Sequence, residues 1–416
     1  LLERREQLLE QINFTQGKIS ALQTQPGEAE RIRFAVAAWN DTLAILQKAY
    51  AELLVEIKTT SPELADAVSV EPLPLAEVQK MLADSVALVE YFFAKDRLVS
   101  WVVDRAQARA VSLPLDRTRL GDSIVQFRRA IQKRASTEVF SRELYDLLIK
   151  PVAPLLLQTK QLLIVPHGAL HYVPFPALQK ADSTYLLDDY ALAIAPSATV
   201  LGFCYRKGAA LPAPIEQNYR VLALGNPDVG NPRLDLPFAE KEIKSLEQTF
   251  GELQSFTRKQ ATYQALLAAK DNAELLHFSC HGVYDEKNPL FSALLLAPEN
   301  ETDDGRLAVH EIFSLKLNTR LVMLSACETG LARVTGGDEV VGLARGFIFA
   351  GTPSLIASLW TVDDLATAIT VKRFYRYLKA GASKAEALRA AQRFVRDHHN
   401  RHPAYWASFG LTGDWR

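Results

Sequence analysis

The sequence predicts an α/β protein: an open, mostly parallel β-sheet with helices on both faces, preceded by a helical hairpin. Three observations carry that expectation. From about residue 218, short apolar, β-rich runs alternate with amphipathic stretches of helical length, the pattern of a parallel sheet with crossover helices. Roughly the first sixty residues place apolar side chains at helical spacing instead. Finally, 48% of the 416 residues are hydrophobic and 23% charged, enough apolar material for a folded core and more chain than one simple core usually spans.

The elements follow in order. The start, "LLERREQLLEQ", has neither a methionine nor a signal-peptide pattern, so it reads as part of a longer chain cut inside a helical region. "ERREQLLEQINFTQGKISALQ" and "ERIRFAVAAWNDTLAILQKAYAELLVEIK", separated by "TQPGEA", predict a helical hairpin over 1–62. "SVALVEYFF" and "RLVSWVV", split by "AKD", read as a β-hairpin. A mixed helical stretch ends in "SRELYDLLIKPVAPLL", and "QLLIVPHGALHYVPF" is a buried strand running into a histidine-bearing loop. These belong to a first α/β region, 85–205. "RKGAALPAPIEQ" is the best linker. A second α/β region, 218–416, then alternates strands such as "AELLHFSC", "RLVMLSA" and "PSLIASLW" with helices such as "FAEKEIKSLEQTF", "DEVVGLARGFIFAG" and "DLATAITVKRFYRYLKAG". Ser383 and Glu386 have capping-box spacing and start a further helix.

Composition narrows the function. Lys plus Arg (47) nearly cancels Asp plus Glu (48), for a net charge of -1, which argues against nucleic acid or an anionic membrane as a direct partner. No run of about 18 apolar residues suggests a membrane span. Cys204, Cys280 and Cys327 are an odd number at no disulfide-like spacing. They suit a reducing compartment, so a cytoplasmic protein is expected, and there a single cysteine can serve as a nucleophile.

His281 follows "ELLHFSC" and Cys327 follows "RLVMLSA". In open parallel sheets the loops leaving the carboxyl ends of strands form the ligand crevice, so both residues belong at one rim if their strands run parallel. A thiol needs a base nearby and backbone N–H groups to hold an oxyanion. Histidine first, cysteine about fifty residues later, is the order and rough spacing of caspases. The surrounding "ACETG" differs from their QACxG string. Zinc binding by Cys280, His281 and Cys327 lacks any C-x₂-C pair, and Cys280 reads as a small core residue. No metal or cofactor is expected.

Longer strings sharpen this. "LHFSCHGVYDEKNPLFSALLLA", "VMLSACETG", "GGDEVVGLARGFIFAGTPSLIASLWTVDD" and "HPAYWASFGLTGDW" together resemble the CHAT domain, a bacterial caspase-related peptidase domain often found behind tetratricopeptide repeats. The resemblance covers about 85–416. It implies a caspase-like α/β fold with an inactive pseudo-caspase half over 85–205 and an active half over 218–416. The hairpin would be the end of a repeat-bearing region. It also implies a cysteine endopeptidase with His281 as base and acid, Cys327 as nucleophile, and the backbone N–H groups of Gly282 and Cys327 as oxyanion donors. The expected partners are a protein substrate and an activating protein or ribonucleoprotein engaged through the N-terminal helices. Bacterial defence is one setting in which the family occurs. A catalytically silent, caspase-like binding scaffold is the alternative, and a cysteine-dependent acyl transferase or amidase shares the same dyad chemistry.

For the substrate pocket, "SLWTVDDLATA" resembles the separase string in which acids after the next strand contact a basic P1 side chain. That implies Asp363 or Asp364 as P1 ligand and Trp360 as a pocket wall, although both aspartates also stand where a helix would be capped. Ser325, two residues before Cys327, is expected to line the substrate pocket as well; small and neutral, it gives no support for an acidic P1. Arg333 and Arg345 are the next arginines after Cys327, and Arg345 is expected to face solvent. The short segment after Cys327 suggests activation without chain cleavage within 330–337. "PENETDDGR", at 298–306, reads as a solvated hairpin tip in preference to a calcium loop. His167 and His171 read as structural.

Overall fold

The computed structural model describes residues 4, 8, 11–12, 14–15, 18–19, 22, 29–59, 72–212, 218–283, 289–300, 303–325, 327–328, 338–360 and 363–416. They fall into two compact units, one of Leu1–Glu71 with Glu286–Leu290, the other of Pro72–Asp285 with Phe291–Arg416. In the first unit every described residue from 4 to 22 is helical, and a second helix runs Ala29–Thr59. The rings of Phe14 and Trp39 meet edge to face at 6.4 Å, while Ile12, Tyr50 and Leu53 are buried. The apolar stripes predicted from periodicity are what join the two helices.

The second unit contains strands β1 (Val86–Phe93), β2 (Arg97–Val103), β3 (Ala108–Pro114), β4 (Gln161–Val165), β5 (Ala191–Ile194), β6 (Arg220–Pro227), β7 (Glu252–Arg258), β8 (Leu275–Ser279), β9 (His281–Val283), β10 (Ala293–Leu295), β11 (Arg306–Ala308), β12 (Leu321–Leu324), β13 (Cys327–Glu328), β14 (Ser354–Ser358) and β15 (Phe409–Gly413). Eleven form one sheet in the order β3-β2-β1-β4-β5-β15-β14-β12-β8-β6-β7, and β11-β10-β9-β13 form a small second sheet. The expected mostly parallel α/β architecture is present, and a single sheet runs through both predicted α/β regions.

Strand direction reverses at β15. β1, β4, β5 and β15 pair parallel with one another, as do β14, β12, β8, β6 and β7. β15 runs antiparallel to β14. The carboxyl ends of β8 and β12 therefore leave the sheet at one rim, and those of β4 and β5 at the opposite rim. His167, two residues past β4, belongs to that opposite rim. Its Nδ1 accepts the Phe93 N–H at 3.2 Å and its ring lies against Phe92 and Phe93, as a structural histidine would.

Both faces of the sheet are covered, which is why its inner strands read as unbroken apolar runs. In β4, Leu162 and Ile164 enter one core cluster, while Leu163 and Val165 enter another. The first cluster contains Ile164 and Phe127 together with Leu359, Trp360 and Trp406, so one core draws on both α/β regions. Buried Arg128 donates to the carbonyls of Tyr172 and Leu359 at 3.3 and 2.9 Å. In β8, Leu276 and Phe278 enter a third cluster, and the alternation sends Leu275 and His277 to the other face.

Candidate active site

Each member of the expected dyad is carried on a short strand that continues past a buried one. β8 ends at Ser279 and β9 begins at His281. β12 ends at Leu324 and β13 begins at Cys327. β8 and β12 are parallel neighbours, with Phe278 opposite Leu324, and the Ser325 N–H donates to the Phe278 carbonyl at 2.8 Å. β9 and β13 then pair in parallel with Cys327 directly opposite His281 and Glu328 opposite Gly282. Neighbouring strands lie about 4.8 Å apart, so the backbone brings the two residues side by side at the rim expected from sequence.

His281 is half-buried, and its Nε2 lies 2.8 Å from the Leu234 carbonyl. A carbonyl only accepts, so Nε2 carries the proton and Nδ1 of the neutral ring keeps its lone pair for a base's work. Leu234 closes the turn Pro232–Leu234 beyond β6, so the next strand in the sheet sets the ring's tautomer. Gly282 is buried at the centre of β9, with Leu294 opposite on one side and Glu328 on the other. The described residues include the backbone of Cys327, and residues 329–337 lie outside them; the expectation of no cleavage within 330–337 falls on that segment, as does Arg333.

The other two thiols are alike, both buried. Cys280 sits in the third core cluster, where burial pushes its thiol up to about 12. Cys204 is on the helix Ala198–Ala210 and is also pushed up to about 12, first by burial and then by Asp414. Neither supplies thiolate near neutral pH.

The expected pocket residues separate. Asp363 caps the helix Asp364–Lys379, accepting from the N–H groups of Leu365 and Ala366 at 3.2 Å each. Asp364 is exposed at the start of that helix. Partial burial of its carboxyl, then Asp363 and Glu242, raise its pKa. Trp360, expected as a wall, is 2% exposed, and its indole N–H donates to the Ala404 carbonyl at 3.2 Å. Arg345 is exposed on the helix Asp338–Ala350. Ser325 donates its hydroxyl to Glu242 at 3.2 Å.

Sequence reasoning misses the partner of Ser325. Glu242, on the helix Pro237–Glu247, also meets buried His277 at 2.7 Å. The available signal is a histidine inside the apolar run "ELLHFSC": a strand covered on both faces leaves it no water, so it needs a polar partner from another element.

β10 and β11 pair antiparallel, and 301–302 of the segment between them lie outside the described residues. Asp303 accepts the N–H groups of Glu299 and Gly305 at 2.8 and 2.9 Å, and Asp304 that of Arg306 at 3.0 Å. Among the described residues no group of three or more His, Cys, Asp or Glu is arranged to hold a metal, and no helix is long and apolar enough to cross a membrane.

A mostly parallel sheet clad by helices, with histidine and cysteine brought to one rim by adjacent strands, defines a caspase-like α/β protein. The same fold is found in a solved structure of the Saccharomyces cerevisiae separase–securin complex, which matches with a TM-score of 0.52 at 11% identity over 94% of this chain and 34% of that one. The chain belongs to the CHAT domain family, whose model matches residues 138–414. It is also similar to tetratricopeptide repeat protein 28 of Mus musculus, 28% identical over 329 residues, and of Homo sapiens, 26% over 326. Each match covers 65% of this chain and 13% of the relative, so the chain corresponds to a small part of those proteins.

Proposed function

We propose that the protein is a cysteine endopeptidase working through Cys327 and His281. The observation that carries the reading is the register of β9 and β13, which sets those two residues opposite one another. Nδ1 of His281 takes the thiol proton as sulfur attacks the scissile carbonyl carbon, and the backbone N–H groups of Gly282 and Cys327 hold the oxyanion. Collapse breaks the C–N bond, and the leaving amine takes the proton from His281. Water then gives a proton to His281 as its oxygen attacks the thioester, and the acid departs with restoration of the thiol.

The substrate is a protein with a basic P1 residue. Asp364 supports this: an exposed carboxylate with two further acids near it gains from a cation, whereas Asp363 is occupied by its helix. We also propose activation by a protein or ribonucleoprotein partner acting through the helical N-terminal unit, without chain cleavage. A place in bacterial defence rests on family resemblance alone. The relatives' names describe a repeat and no reaction, which favours the scaffold reading as the second possibility.

The test is a proteome-wide search for new peptide termini after adding wild-type or Cys327→Ala protein to cell extract. Termini following Lys or Arg, in the wild-type sample only, are the expected result. Wild-type-specific termini following Asp would overturn the pocket reading. No wild-type-specific termini, even with the native partner supplied, would leave the scaffold reading.

A further inference from the structure

Behind the dyad strands lies a buried polar chain that the cleavage chemistry does not use. Tyr375 is fully buried, and burial followed by the charge of Glu242 holds its hydroxyl proton far above the usual phenol range. Glu242 Oε1 accepts from His277 Nε2–H at 2.7 Å, so Nδ1 of the neutral ring is the acceptor for the Tyr375 O–H, 3.2 Å away. The other oxygen, Oε2, accepts the Ser325 hydroxyl at 3.2 Å. His277 is 0% exposed and Glu242 3%. Burying a carboxylate costs several kcal/mol unless its lone pairs are met, and apolar residues of similar volume often fill such space at no loss of stability. The chain therefore calls for a reason beyond packing.

Its attachment points supply one. His277 lies on β8, four residues before His281, and Ser325 lies two residues before Cys327. Glu242 is on the helix that follows the Leu234 turn, whose carbonyl holds the His281 ring. One carboxylate thus ties together the two strands that carry the dyad, at the level where they leave the main sheet. We propose that Glu242 is a positioning residue: through His277 and Ser325 it keeps β8 and β12 aligned, so that β9 and β13 present His281 and Cys327 in register. This rests on the reading of those two residues as a dyad.

The experiment measures the rate at which iodoacetamide modifies Cys327 in the full chain at pH 7, mapped by peptide mass. Wild type is compared with His281→Ala, Glu242→Ala, Glu242→Gln and Ser325→Ala. Buried Cys204 and Cys280 act as internal monitors, because they become labelled only when a variant unfolds. Glu242→Ala is expected to slow Cys327 modification on the order of 10- to 100-fold, by analogy with the loss of groups that orient metal-binding side chains, with Cys204 and Cys280 still protected. Ser325→Ala, which cuts only the last link, slows it by a smaller factor. Glu242→Gln recovers most of the rate, because the amide can accept from His277 and donate to the Ser325 oxygen. Wild-type rates in Glu242→Ala and Ser325→Ala would overturn the positioning role and leave the dyad standing. If Glu242→Ala does not fold, an unchanged rate in Ser325→Ala alone overturns it. A rate independent of His281 would overturn the dyad and the positioning role together.

Discussion

At the scale of single residues, adjacent aspartates have unlike tasks. Asp363 spends its carboxylate on two backbone N–H groups, so Asp363→Ala is expected to cost about 1 kcal/mol of stability while P1 preference is unchanged. Asp364 makes no such cap and feels Asp363 and Glu242 as like charges. Asp364→Asn is expected to weaken cleavage after Lys or Arg at least tenfold, with little effect on melting. Steady-state kinetics on basic and neutral P1 reporters, alongside thermal melts, separate the two. Equal loss of basic P1 cleavage in both variants would contradict the assignment. The pairing of His281 with Cys327 was legible because each stands just past an apolar run. Glu242 was not: in "FAEKEIKSLEQTF" it has the look of a solvated face, and its burial depends on a histidine from a strand far along the chain.

At the scale of elements, the inner strands and long helices could be read from sequence because burial on both faces writes continuous apolar runs and helical faces write a 3.6-residue period. The edges could not. β3 occupies part of the stretch expected to be mixed helix; its "ARAVSLP" is mostly exposed, and it and the polar β7, "ELQSFTR", lie at the two ends of the sheet. In "AVHEIFSL", whose apolar spacing would suit a longer helix, only Val309–Ile312 is helical. The helix Ala198–Ala210 runs into the expected linker. The join between the helix Asp338–Ala350 and β14 depends on Gly351, at φ 113, where an added Cβ would strike the Leu317 carbonyl. Gly351→Ala is expected to destabilise by about 1–3 kcal/mol, seen as a melting temperature several degrees lower. An unchanged melting temperature would show that the turn relaxes freely.

At the scale of the whole molecule, strand direction is what local patterns do not encode. Sequence suggests two α/β regions, each with a histidine after a strand, and does not say that β15 turns one against the other. The reversal puts His167 and His281 at opposite rims and leaves the dyad rim to β8 and β12. One sheet and a shared core make the first region part of the framework behind the active rim. The central claim, that this framework makes Cys327 a nucleophile dependent on His281, is tested most directly by an acyloxymethyl ketone with a basic P1 residue. Such a reagent requires both a thiolate and a peptide groove. Intact mass and peptide mapping are expected to show a single adduct on Cys327 in wild type and none in His281→Ala. With the native partner supplied, no adduct, or equal labelling of the two proteins, would contradict the account.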